Sequence, residues 1–260
     1  MIARLLSGQR GDGGFGVHPY SKWKGSHWRL VSLVELGLPR TSRAARAAAG
    51  DVLAWIAAPS EPLVVAGHER RHASMEGNAL AVCCRIGMAR DARVRHLVEV
   101  LLRAQWPDGG WNSDVRPTAK RSSFHESVTP ILGLAEYHRA TGDRDALHAA
   151  QRGVELILEH RVFRRRSGAV IHREWLSIHW PPYWHYDFFQ GLRAIAQLGK
   201  QRDPRAGEAL ERLQSLRRAD GTWRTGGRKH WRLHGTSNVE AVDWGDAHQV
   251  VTPIALGILE

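Results

Sequence analysis

Sulfur is scarce in this 260-residue chain, which has two cysteines and three methionines. Cys83 and Cys84 are adjacent in an apolar stretch. That excludes a disulfide framework and predicts two buried thiols in a reducing compartment. No apolar run reaches the ~18 residues that a membrane-spanning helix needs, and the first six residues are too few for a secretory core. A cytoplasmic chain without a transmembrane segment is expected. Acidic residues are also short relative to basic ones, 26 against 37, a net charge of +11. Such a balance favours anionic partners. The basic residues are scattered, however, with no block longer than Arg164-Arg165-Arg166, and no nucleic-acid-binding motif is present. A small apolar or anionic substrate is therefore expected, without a specific nucleic-acid partner.

Glycine, by contrast, is plentiful at 26 residues, and tryptophan at 11. The two coincide in Gln105-Trp106-Pro107-Asp108-Gly109-Gly110-Trp111. This stretch recurs upstream as Gln9-Arg10-Gly11-Asp12-Gly13-Gly14-Phe15 and downstream as Arg217-Arg218-Ala219-Asp220-Gly221-Thr222-Trp223. Each copy follows an apolar helical pattern. Asp-Gly marks a turn, because glycine accepts positive φ and aspartate bonds its own backbone. Trp111 and Trp223 are expected to fold back on the helix just ended, with Gly109 or Gly110 at φ > 0. A motif after every second helix marks a repeat protein.

Gln, then Asp-Gly-Gly, then an aromatic resembles the QW repeat of the squalene-cyclase and protein-prenyltransferase superfamily. The resemblance implies an all-α fold, an α/α toroid of about five helical hairpins with inner and outer helix rings, as one domain over residues 1–260. It also implies a terpenoid-cyclase-like or prenyltransferase-like enzyme, acting on an isoprenoid by acid-initiated or metal-assisted chemistry. The Asp-x-Asp-Asp acid motif of the cyclases and the Asp-x-Cys zinc pair of the prenyltransferases are both absent. Similar turns occur in α/α-barrel polysaccharide enzymes, which implies an alternative, a glycan hydrolase or lyase using two carboxylates. A non-catalytic binding scaffold is the third reading.

Periodicity independently predicts ten helices. Leu36-Gly37, Ile86-Gly87, Thr141-Gly142 and Leu198-Gly199 each end a helix with a C′ glycine, and the next helix starts within about six residues. Helices entering these turns (26–37, 75–87, 123–141, 184–199, and the last at 247–260) are apolar on most sides, hence buried. Helices leaving them are one-sided (42–57, 92–105, 145–160, 204–217), and residues 1–8 form an outer stub placing the chain ends together. Residues 58–73, 112–122, 161–182 and 218–245 read as loops. Ser123 with Glu126, and Asp246 with Gln249, match the capping box. Pro130 and Pro253 should kink their helices.

This topology puts the long loops and the inner-helix N-termini on one face, where helix dipoles attract anions. The residues there are the candidates. Asp187, His185, Glu126, His125, Asp243 and Glu76 are expected to be catalytic, with Asp187 the favoured acid. Trp28, Arg29, Asn78, Trp180, Tyr183 and Trp184 are expected to bind substrate, since π faces stabilise carbocations and also stack on sugars. His179, His185, Asp187 and His248 have the donor chemistry for a divalent metal, zinc or magnesium. His68 and His72 lie four apart in an expected loop, without helical geometry to join them.

Overall fold

The computed structural model describes residues 1–226 and 241–260. Among them are ten α-helices: α1 (Ile2–Leu6), α2 (Ser26–Glu35), α3 (Arg43–Ile56), α4 (Ala73–Arg85), α5 (Ala92–Ala104), α6 (Phe124–Thr141), α7 (Arg144–Glu159), α8 (Phe188–Gln197), α9 (Gly207–Ser215) and α10 (His248–Leu259). The fold is all-α apart from one antiparallel hairpin, β1 (Leu63–Val65) and β2 (His68–Arg70). No helix among the described residues is long and apolar enough to cross a membrane. Of the expected loop at 218–245, residues 227–240 lie outside the described residues.

α2, α4, α6, α8 and α10 pack on one another in succession, with α3 against α2 and α4, α5 against α4, α7 against α6 and α9 against α8. The closest approach is α4 on α6. Small residues permit it. A Cβ on Gly77 would lie 2.2 Å from Pro130 N, and one on Gly133 would lie 2.6 Å from Gly77 O. Pro130 and Pro253 sit inside α6 and α10, which run on through them. Cys83 and Cys84 are free and buried in the core, and burial pushes the Cys83 thiol up to about 12.

The Asp-Gly turns repeat bond for bond. The Gln105 side-chain amide donates to Gly109 O (2.7 Å) and to Ala149 O on α7 (2.9 Å); that of Gln9 donates to Gly13 O (2.9 Å) and Ala44 O on α3 (2.9 Å). Gly109 has φ +94, and a Cβ there would strike Arg152 O at 2.4 Å; Gly13 has φ +87 and faces Ala47 O at 2.3 Å. Each glycine thus meets the next outer helix three residues after the glutamine does. The indole N–H of Trp111 donates to Leu101 O (2.9 Å) and that of Trp223 to Leu213 O (2.7 Å), so both rings fold back as expected. In the third turn Arg217 reaches only its own Gly221 O, at 3.5 Å.

Three expectations need correction. Residues 58–73 hold the β1–β2 hairpin, because Ala66 and Gly67 both take positive φ (51 and 78) and close a two-residue turn matching strand twist. The helix predicted from 184 starts at Phe188, where Asp187 caps it by accepting from Gln190 N at 2.9 Å. Asp187 with Gln190 three residues on is the signal that the sequence offered. Neither predicted capping box forms: Ser123 and Ala247 are the N-caps and make no side-chain cap bond.

Candidate functional site

The tight α4–α6 contact brings the first turns of the two helices together. Glu126, instead of closing its own helix, reaches across to α4. Its Oε2 accepts from Ser74 N (2.9 Å), and its Oε1 accepts from Ser113 Oγ (2.9 Å) and lies 3.5 Å from His72 Nδ1. Glu76, in the first turn of α4, is buried. Its Oε1 accepts from the Arg71 guanidinium, at 2.8 Å from Nε, whereas its Oε2 is buried without a hydrogen-bond partner among the described residues.

These surroundings drive the two carboxyls apart. Burial pushes Glu76 up and Arg71 does not compensate, while the charges of Glu69 and Glu126 push the same way. For Glu126, burial is the largest single influence and also acts upward. The hydrogen bonds from His72, Ser74 and Ser113 together outweigh it, so the group titrates below its ordinary range. His72 is raised, chiefly by its bond to Glu126. Tyr20 is raised by burial and then by the Glu126 charge. Two carboxyls with opposed displacements are the pattern of an acid and a base in one site.

A cleft of about 340 Å³ opens on this corner, lined by Trp55, Leu63, Arg71, His72, Met75 and Glu76. The hairpin is its outer wall. Arg70 pins it, donating to Ala119 O (3.0 Å) and Val65 O (3.1 Å) with its guanidinium 4.5 Å from the Trp106 ring centre. Trp55 is half-buried and stands edge-on to His18 and His27. His27 is fully buried, its Nε2 has no partner among the described residues, and burial holds it down at about 3, hence neutral.

The start of α8 is different. Asp187 is 1% exposed, and its oxygens are taken by Gln190 N, His179 N (2.8 Å) and His179 Nδ1 (3.1 Å). It is a saturated cap, not a free acid. His185 stacks on Trp184 at 3.9 Å, and His125 Nδ1 accepts from Tyr186 N at 2.8 Å. The expected metal set does not assemble: His179 pairs with Asp187 and His248 with Asp246 (2.7 Å), and no group of three His, Cys, Asp or Glu side chains that could hold a metal occurs among the described residues. These residues therefore do not fit a zinc or magnesium ion.

Three of the four expected substrate-binding aromatics are core, and Trp184 is half-buried against it. Trp28, Trp180 and Tyr183 are buried; Tyr183 stacks on Trp23 at 4.1 Å and meets the edge of Trp28. Asn78 donates to Tyr183 O (2.7 Å), and Arg29 ties α1 to α2 through Leu5 O (2.7 Å). Apolar rings at helix starts found one another before any ligand could find them. Asp243 and His248 line a separate cavity of about 330 Å³ with Met1 and Leu36, where Asp243 accepts from Gly245 N (2.8 Å). Met1 and the start of α10 line this cavity together, but Asp243 and His248 do not join the other candidates.

Of the expected catalytic residues, Glu76 and Glu126 share a corner, and His125, His185 and Asp187 are spent in packing and capping around α8. Sequence reasoning missed Arg71, His72 and Tyr20. The first two immediately precede α4, and their position before an inner-helix start is the signal that could have found them. No family model matches this chain, and no curated protein matches it.

Proposed function

We propose that the chain is an enzyme that hydrolyses a glycan by general acid–base catalysis, with Glu76 as the acid and Glu126 as the base, on a scaffold of α/α-toroid type. The observation that carries this reading is the opposed displacement of the two carboxyls beside His72. Glu76, whose carboxyl burial pushes upward, is the acid that delivers a proton to the departing sugar oxygen. Glu126, held ionised and bonded to His72, is the base that takes a proton from the attacking water, whose oxygen bonds the anomeric carbon as the glycosidic bond breaks. The Trp55 ring in the cleft wall offers an apolar face for a sugar ring. The toroid rests on the successive packing of α2, α4, α6, α8 and α10 and on the thrice-repeated Asp-Gly turn.

One observation favours the terpenoid-cyclase-like reading as a second. The Lys22 ammonium lies 5.4 to 5.8 Å from the ring centres of Tyr20, Trp23 and Trp184, so three aromatic faces converge on a cation. Those rings are otherwise packed against protein, and a polyene would have to displace them.

The test is incubation with neutral and acidic oligosaccharides, and separately with polyenes and isoprenoid diphosphates, with mass spectrometry of products. Glu76→Gln and Glu126→Gln should each lower glycan turnover about 10²–10⁴-fold without lowering the melting temperature by more than a few degrees. The rate should fall in acid as Glu126 protonates and again at higher pH as Glu76 ionises. Products from polyenes alone would establish the second reading. No product from either class would reduce the chain to a binding scaffold.

A further inference from the structure

The carboxyl given the role of acid is closed off in this structure. Glu76 is 4% exposed; its Oε1 is held by the Arg71 guanidinium and its Oε2 is buried. Neither oxygen can touch a glycosidic oxygen until part of the wall around it moves. Most of that wall is fastened. α3 and α4 pack on each other, and His72 is tied to Glu126. The hairpin is held through Glu69, whose carboxylate accepts from the Arg103 guanidinium and whose carbonyl accepts from the Trp106 indole N–H, and through Arg70, which donates to Ala119 O.

One part of the wall is not fastened. Residues 58–62, Ala-Pro-Ser-Glu-Pro, run from the end of α3 towards β1 and are all exposed. Proline has no N–H, and Ser60 and Glu61 bond to nothing among the described residues, so Pro59 to Pro62 cross without a hydrogen bond. Lifting them breaks no bond and uncovers little apolar area, because they are already exposed; moving a helix or the hairpin would break several bonds. The same stretch is the wall between two cavities. One is the cleft at Glu76, and the other, of about 270 Å³, lies against His96, Leu97 and Arg103. Ile56, Ala58, Pro59, Ser60, Glu61 and Arg71 line both. From this we infer that residues 58–62 are a strap that gates the Glu76 carboxyl. Raised, it joins the two cavities into one groove and bares the carboxyl; lowered, it shuts water out. Prolines near both ends fix φ, so the strap swings stiffly about Ala57 and Leu63. Its role as a gate rests on the acid role of Glu76 proposed above.

The experiment reads access to Glu76 without any glycan. The full chain is treated with a water-soluble carbodiimide and glycinamide, and the labelling rate of Glu76 is followed by mass spectrometry of peptides, with the buried Asp187 as internal control. Ser60→Cys with His96→Cys places two thiols on the second cavity, to be joined by a bismaleimide with a disulfide in its spacer; Cys83 and Cys84 are buried and spared. Joining the strap to α5 should lower Glu76 labelling about fivefold or more, and reduction of the spacer should restore it. Pro59→Gly with Pro62→Gly, which loosens the strap, should raise the rate by a similar factor, with unchanged Asp187 labelling and melting temperature confirming the fold. Equal Glu76 labelling in the linked and reduced forms, or no rise in the glycine variant, would overturn the inference. Labelling that follows the strap while no oligosaccharide is cut would sink the glycan reading alone.

Discussion

The starts of α4 and α8 carry similar residues and different chemistry. Each has a carboxylate beside a histidine, near tryptophan and at a helix N-terminus. At α8 both oxygens of Asp187 are bonded, by Gln190 N and by two donors of His179, and the group is 1% exposed. At α4 the Glu76 carboxyl lines a cleft and keeps one buried oxygen unpartnered among the described residues, while Glu126 is shared among three donors. Asp187 is the N-cap of its helix, whereas Glu76 lies within the first turn of α4. What separates the two corners is the Glu76 oxygen left without a hydrogen bond among the described residues, beside a cleft.

The comparison breaks most sharply at Asp187. Asp187→Asn replaces an acceptor by an NH₂ facing N–H donors in a buried place, so it should cost about 3–5 kcal/mol, read in denaturant melts, while Glu126→Gln at the open corner should cost far less. Equal costs would mean that the two corners are equally structural.

A second prediction sharpens what burial without a partner does. His27 has its folded value at about 3 against an ordinary 6.5. The unfolded chain therefore binds the extra proton between these values, and stability falls as pH drops through that window. By about pH 4 the loss attributable to this group should be about 3 kcal/mol. It should disappear in His27→Phe, so that the two melting curves converge in acid. Parallel acid limbs would show that His27 is charged in the fold.

The smallest effect separates the turns. Gln105→Ala removes three hydrogen bonds, two of them to α7 through Ala149 O and the Arg152 guanidinium, and should cost about 1–3 kcal/mol. Arg217→Ala removes a single long bond and a cation–π contact 5.3 Å from Trp223, and should cost under about 1 kcal/mol. Equal losses would mean that the glutamine does not tie one hairpin to the next.

The helical architecture was legible because its causes are local. Apolar spacing along 92–105 becomes α5 within a residue at its C-terminal end, and Gly37, Gly87, Gly142 and Gly199 all take the positive φ that their positions after a helix demand. The hairpin was missed because Val64 and Val65 are followed by Ala66, not the Asn or Asp that usually announces such a turn.

The chain by itself therefore determined the helices, their order, the turns between them and the buried thiols, since periodicity, propensity and glycine placement act over a few residues. Only the tertiary structure decided which polar groups are paired and which keep hydrogen-bonding capacity. His125, His185 and Asp187 are quenched by partners up to 61 residues away, as in the bond from Tyr186 N to His125. Glu126 is turned from its own helix to Ser74, 52 residues away, by the close approach that Gly77 and Gly133 allow. Desolvation and the saturation of hydrogen bonds depend on what the rest of the chain brings alongside, and no local pattern carries that information.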